Sequence, residues 1–160
     1  MKSLLIIGAG GYGQCIKEIA ELCKYSKIDF LDDNNPNVVG KIDDLNILQD
    51  MYDGCIVAIG NPEIRESIVK KINHLHTLIH PNAIISKSTS ISDGCVIEAN
   101  SVINSNVQIM KSSYICAGAV VNHDAVVSSY CQIDCNSVVA SGAFVPEKTK
   151  VKSCTIWIDR

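Results

Sequence analysis

The hydrophobic positions of this chain follow two different rhythms. Up to about residue 80, short apolar runs alternate with helix-like stretches. LLIIGAG (4–10) is a run of Leu and Ile closed by glycines, the pattern of a strand buried on both faces. From Tyr12 to Tyr25, Ile16, Ile19, Ala20 and Cys23 recur at helical spacing, which predicts an amphipathic helix. Ile28–Leu31 reads as a short strand ending at Asp32 and Asp33, and CIVAIG (55–60) as a third, buried strand. PEIRESIVKKI (62–72) reads as a helix with Pro62 in the first turn, where proline is tolerated. LHTLIH (75–80) alternates and reads as a last strand. Strand–helix alternation predicts a parallel sheet with helices on its faces, in a half too small for a complete doubly wound domain.

From Ile85 the rhythm changes to period six. Ile or Val occupies 85, 91, 97, 103, 109, 115, 121, 127, 133, 139, 145 and 151 without exception. Four residues after each comes a small or β-branched residue. Three residues after comes Gly, Asn or Asp in seven of twelve cases: Gly94, Asn100, Asn106, Gly118, Asp124, Asn136 and Gly142. Those types tolerate left-handed backbone angles. Each hexad therefore predicts one short strand and one corner, with the Ile or Val in a narrow bore. Three hexads close a triangular coil, so Ile97, Ile115, Ile133 and Val151 should stack in one ladder, roughly 4.8 Å apart. Twelve hexads make four coils of a parallel β-helix, an architecture that buries a continuous core only by stacking. A β-sandwich would need period-two alternation, which is absent. Trp157 falls on the next ladder position, where an indole does not fit the bore. It should fold over the open end and cover strand edges. The expected domains are residues 1–80 and 81–160.

Composition narrows the chemistry. Lys+Arg total 14 against Asp+Glu 17, with no basic run, so a nucleic-acid partner is not expected. The apolar run in MKSLLIIGAGGYG stops at Gly8, too short for a signal peptide or a membrane span. The expectation is a soluble cytoplasmic protein without a membrane partner. The eight cysteines include no C-x-x-C pair. No metal site is expected, and the thiols are read as reduced, small core fillers.

Gly8-Ala9-Gly10-Gly11-Tyr12-Gly13 matches G-x-G-x-x-G after a buried strand and before a helix, the context in which the pattern signals phosphate at a helix N-terminus. Asp32 or Asp33 can hydrogen-bond a ribose or a base edge. Taken alone, the pattern suggests NAD.

His123 is the only histidine of the repeat region. It lies two residues after Val121, at an outward corner. Imidazole titrates near working pH and serves as a general base. Asp124 either orients it or only makes the turn. His74, His76 and His80 read as surface or linker residues.

A small glycine-rich α/β half followed by a hexapeptide solenoid resembles the bacterial sugar acetyltransferases related to sialic acid O-acetyltransferase and the UDP-4-amino-sugar N-acetyltransferases. IIGAGGYG (6–13), FLDD (30–33), AIGNPEIR (58–65), LIHPNA (78–83) and VVNHDAVV (120–127) carry the resemblance over nearly the whole chain. It implies a Rossmann-like nucleotide-sugar-binding half and a left-handed β-helix that transfers acetyl from acetyl-CoA to a sugar amine or hydroxyl. His123 is then the base and Asp124 its partner. Gly8, Gly10, Gly11, Tyr12, Gly13, Asp32, Asp33, Gly60 and Asn61 would hold the UDP-sugar. Coenzyme A would lie between solenoids of a homotrimer, touching Gln132, Ser141 and Gly142. Tyr12 stands where the amino-sugar enzymes often carry histidine, and Gln132 where some carry a second histidine. Relatives usually continue through more coils, whereas this repeat stops near Thr155. A non-catalytic trimeric nucleotide-sugar binder and an NAD-type dinucleotide binder are the alternatives.

Overall fold

A computed structural model describes residues 2–159. The chain divides into two compact units, Met1–Leu78 and Ile79–Arg160.

The first unit is built on a three-stranded parallel sheet. β1 (Ser3–Ile7) lies between β2 (Lys27–Leu31) and β3 (Gly54–Val57). Leu4, Leu5, Ile6 and Ile7 are fully buried, as a central strand covered on both faces requires. α1 (Gly11–Leu22) buries Gly13, Ile16, Ile19 and Ala20. It ends where Lys24 takes φ +67° and the Tyr25 N–H returns to the Ala20 carbonyl at 3.0 Å, a left-handed stop that satisfies a last-turn carbonyl. A short helical stretch, α2 (Leu45–Leu48), follows the loop after β2. α3 (Pro62–Val69) starts with Asn61, whose side-chain oxygen accepts the Ile64 N–H at 2.9 Å, and with Pro62 in the first turn. Asparagine cap and first-turn proline both fit a helix start.

The segment 75–80 does not make a further strand of this sheet. Leu75 forms a single bridge to Cys55 at the edge of β3. Ile79, one hexad before Ile85, opens the second unit, and the His80 N–H donates to the Ile97 carbonyl at 2.8 Å. The period-six rhythm thus begins one repeat earlier than the sequence reading placed it. His76 is also no loose linker residue. Its Nδ1 lies 2.8 Å from the Tyr25 hydroxyl, and its ring packs where a Gly54 side chain would stand.

The second unit is a left-handed parallel β-helix of about four coils. Its strands are two residues long and pair in parallel with the strand eighteen residues on. Ile97, Ile115, Ile133 and Val151 form one ladder. Ile103, Val121, Val139 and Trp157 form the second. Ile91, Ile109, Val127 and Val145 form the third. These residues pack with Cys95, Val107, Ala119, Ala125, Cys131 and Ala143 in one continuous core.

Every corner from 94 to 154, at intervals of six, is left-handed. Gly94, Asn100, Asn106, Ser112, Gly118, Asp124, Tyr130, Asn136, Gly142, Lys148 and Cys154 all have φ between +55° and +77°. Coil closure imposes this angle even on Ser112, Tyr130, Lys148 and Cys154, against a cost of roughly 1–2 kcal/mol per residue. Trp157 keeps its ladder register opposite Val139 and also closes the edge above Phe144. Its Nε1–H donates to the Phe144 carbonyl at 2.9 Å, while the Phe144 N–H reaches the Asp159 carbonyl at 2.8 Å. The expectation that an indole does not fit the ladder position is corrected, since Trp157 packs against the core in register, while its bond to the Phe144 carbonyl does cover a strand edge.

The cysteines divide. Cys55, Cys95, Cys116 and Cys131 are buried core fillers, but Cys15, Cys135 and Cys154 are exposed and Cys23 is half-buried. The core-filler reading holds only for the first four. Burial pushes the thiols of Cys55 and Cys95 up to about 12, so neither is a ready nucleophile. No group of metal-ligating side chains is assembled among the described residues, and none of the described helices is long and apolar enough to cross a membrane.

Candidate functional site

The glycine loop separates into two kinds of glycine. Gly8 has φ +107°, and a side chain there would press on Ala58. A side chain on Gly13 would collide with the Gly8 carbonyl. These two are needed for the turn and for the contact of α1 with β1. A side chain on Gly10, Gly11 or Gly60 would meet nothing within 4 Å. Gly10, the N-cap of α1, has extended backbone at φ −70° and ψ −171°, which any residue adopts. Packing within the chain therefore does not require glycine at these three positions. The N–H groups of Gly10, Gly11 and Gly13 have no hydrogen-bond partner among the described residues. They open at the positive end of a twelve-residue helix, a setting that binds anions. Tyr12 is half-buried in the same first turn.

The aspartates after β2 shape the loop. Asp32 accepts the Ala9 N–H through Oδ2 at 2.7 Å and the Asn34 and Asn35 N–H groups through Oδ1 at 2.9 and 3.1 Å. These backbone donors, Ala9 first, hold its carboxyl below the usual carboxylate range. Asp33 accepts the Ile42 N–H at 3.0 Å. Both carboxylates are thus already engaged in organising backbone, as the Asn61 side-chain oxygen is in capping α3.

What they organise is a hollow of about 630 Å³, lined by Asp32, Asp33, Asn34, Asn35, Lys41 and Asp44 among others. A smaller hollow of about 360 Å³ adjoins it, with Ala9, Gly10 and Pro36 on its walls. Sequence reasoning stopped at Asp33 and missed Asn34, Asn35, Lys41 and Asp44. The signal available was DDNNPN (32–37), a run of turn-forming residues with side-chain donors and acceptors.

In the solenoid, the corner between Val121 and Val126 carries His123 and Asp124. His123 Nδ1 lies 2.7 Å from Asp124 Oδ2. Both side chains are more than half exposed, 60% and 56%. The hydrogen bond from His123 comes first among the causes that hold the Asp124 carboxyl below its usual range, and a bond from Asn106 comes second. Asp124 also has φ +62°. Asp124 therefore takes the left-handed corner and at the same time contacts the imidazole. A neutral imidazole that donates Nδ1–H to the carboxylate in this contact would carry its lone pair on Nε2.

The coils above and below extend this corner. One coil down, Asn106 Nδ2 donates to Asp124 Oδ1 at 3.0 Å, and Asn104 Nδ2 to Asn122 Oδ1 at 3.1 Å. One coil up, Ser141 stands above His123 and Gly142 above Asp124 in the eighteen-residue register. The Gly142 N–H is spent on the His123 carbonyl at 2.9 Å. The Ser141 N–H has no partner among the described residues. Gln132 lies elsewhere, on the strand that pairs with Tyr114 and Lys150, and bonds Asp134 at 3.4 Å. Within one chain the fold brings Ser141 and Gly142 to His123 but not Gln132.

The second unit is a parallel β-helix of six-residue turns with an exposed His–Asp corner, and the first is a three-stranded α/β unit with a glycine loop. Residues 3–72 match the family profile of the PglD N-terminal domain, and residues 88–123 that of the bacterial transferase hexapeptide (six repeats). The chain is 30% identical over 115 residues to a UDP-N-acetylbacillosamine N-acetyltransferase of Bacillus subtilis (strain 168), covering 62% of this chain. It spans about half the length of that curated relative, 52%. Among solved structures it is similar to the acetyltransferase domain of PglB from Neisseria gonorrhoeae FA1090, with TM-score 0.84 and 27% identity over 99% of this chain and 92% of that one. The same domain in complex with acetyl coenzyme A gives TM-score 0.81 and 29% identity over 97% and 87%. A GDP-perosamine N-acetyltransferase from Caulobacter crescentus shares the fold, with TM-score 0.69 and 20% identity over 98% and 93%. The chain is thus similar to bacterial sugar acetyltransferases in its two matched segments and, over nearly its whole length, in fold.

Proposed function

We propose that the chain moves an acetyl group from acetyl-CoA to the amino group of a nucleotide-linked sugar, working as a cytoplasmic homotrimer. The observation that carries the reading is the His123–Asp124 pair at an exposed solenoid corner, with the free Ser141 N–H one coil above it. Ser141 and Gly142 fit the acetyl-CoA side of such a site. The co-substrate would supply an acyl carbonyl activated as a thioester. His123 Nε2 takes the proton of the attacking amine, Asp124 steadies the imidazolium that results, and the Ser141 N–H meets charge developing on the carbonyl oxygen. No covalent enzyme intermediate is needed, which agrees with the raised thiols of the buried cysteines.

The glycine loop and the hollow of Asn34, Asn35, Lys41 and Asp44 support nucleotide recognition in the first unit, with Gly10, Gly11 and Gly60 leaving room at the backbone. The choice of amine over hydroxyl rests on the N-acetyltransferase names of the relatives. The apolar row Ile84, Val102, Val120, Val138 and Ile156, stacked along one solenoid face, supports self-assembly. Two of its residues, Ile84 and Ile156, are 65% and 69% exposed in the single chain.

Calorimetric titration with acetyl-CoA, followed by a thiol-release assay with UDP-4-amino-sugars, tests the reading. Binding and release of one thiol per acetylated sugar are expected. No binding at millimolar acetyl-CoA would overturn the transferase reading.

A further inference from the structure

The polar column at the His123 corner reaches one coil deeper than the histidine and its carboxylate. Asp124 has two oxygens and both are engaged: Oδ2 with His123 Nδ1 at 2.7 Å and Oδ1 with Asn106 Nδ2 at 3.0 Å. Asn106 is itself fixed. Its backbone is left-handed at φ +60°, and its N–H donates to the Ser88 hydroxyl at 3.0 Å, a further coil down. Ser88, Asn106 and Asp124 share one register position on successive coils.

We propose that Asn106 is a positioning residue for His123, acting through Asp124. An amide can donate only through nitrogen, so Asn106 grips one carboxylate oxygen and leaves the other for the imidazole. Without that grip, an exposed aspartate is free to rotate about its side-chain torsions, and the histidine loses its fixed partner. Held in place, Asp124 favours the tautomer protonated at Nδ1 and keeps Nε2 as the base. The neighbouring ladder shows why the residue type matters. Asn104 bonds Asn122, not a charged group, so of these two neighbouring columns it is the one carrying Asp124 that directs an amide at a carboxylate. The charges facing this column among the bonded side chains are Asp124 and His123 themselves; Ser88 and Asn106 are neutral.

The left-handed angle at Asn106 offers a clean perturbation. Asn106→Gly keeps φ +60° without strain and deletes only the amide. Asn106→Asp keeps the shape and sets a second carboxylate against the first. The first readout is nitrogen NMR of His123 in the full chain, which distinguishes the two tautomers and follows the imidazole titration. Wild type should show the Nδ1–H form predominant when neutral. Asn106→Gly should shift the population toward the Nε2–H form. Asn106→Asp should raise the His123 titration midpoint by adding negative charge.

The second readout is kinetic and rests on the transferase reading. Asn106→Gly should lower kcat about 10-fold at pH 7 with KM nearly unchanged. An unchanged tautomer population and titration midpoint in Asn106→Gly would overturn the proposal, whether or not the chain is an acetyltransferase. A shifted tautomer population in a chain without acetyl transfer would uphold the Asn106 role and remove the reaction assigned to His123.

Discussion

The two kinds of glycine in the loop can be told apart by experiment. Gly10 has extended backbone and open space around it, so Gly10→Val should fold. The change replaces a tolerated N-cap with a poor one, a loss of no more than about 1 kcal/mol, which in a chain of this size lowers Tm by about 2–4 °C. Binding should suffer far more. The isopropyl group would stand over the free N–H groups of the α1 N-terminus, where a diphosphate would be held. Two hydrogen bonds from those amides to a charged phosphate contribute about 3 kcal/mol together, so Kd for UDP should rise about 100-fold. Gly13→Ala is the opposite control. Its methyl group would strike the Gly8 carbonyl, so this variant should unfold at markedly lower temperature. The assays are calorimetry with UDP and thermal unfolding of both variants. Wild-type affinity in a folded Gly10→Val protein would refute the assignment of Gly10 to ligand approach. Equal melting of the two variants would refute the division of the glycines itself.

Replacing His123 by alanine should cut turnover on the order of 10²–10⁴-fold while sugar affinity stays nearly constant; an unchanged rate would remove the imidazole from the mechanism. Asp32 gives a pH dependence with a definite sign. Its carboxyl is held below the ordinary value by the Ala9 and Asn34 N–H groups, so its stabilising contribution is present above the unfolded value and is lost as pH falls through the lower, folded one. Urea midpoints of the wild type should therefore drop below about pH 4, and Asp32→Asn should be flatter in that window and less stable at pH 7. At the solenoid end, Trp157→Ala should cost about 2–4 kcal/mol, less than a fully buried tryptophan because the indole is only partly covered. Chemical unfolding measures this, and an unshifted midpoint would show that the indole caps nothing.

The solenoid was legible because its geometry repeats. Twelve Ile or Val residues at one spacing leave a single way to stack, and Ile97, Ile115, Ile133 and Val151 pair in the expected register. The corner residues were only partly legible. Gly, Asn and Asp mark positions where the left-handed angle comes at little cost, but Tyr130 and Lys148 adopt it too, since closure of the coil overrides local preference. Where the two rhythms meet, sequence pattern failed for a related reason. LHTLIH alternates, yet Leu75 bridges the β3 edge while Ile79 opens the solenoid, and alternation alone does not say which edge a residue joins.

The candidate site stood out in the sequence through its charged and glycine residues and was obscure in its amides. His123 and Asp124 stand out because a titratable pair has chemistry of its own. Asn106 does not, since asparagine at a left-handed corner already has a sufficient structural reason to be there. Only its eighteen-residue offset from Asp124 gives it a second meaning, and that offset is visible once the coil length is known. The same logic separates Ser141 from Gln132. Ser141 is eighteen residues from His123 and must stack on it in any coil of this length, whereas Gln132 is nine away, half a coil, and falls on another face. In a solenoid, distance along the chain converts to distance in space by arithmetic on the repeat. Candidate partners of a catalytic residue are therefore best sought one coil above and one coil below, before any nearer neighbour in sequence.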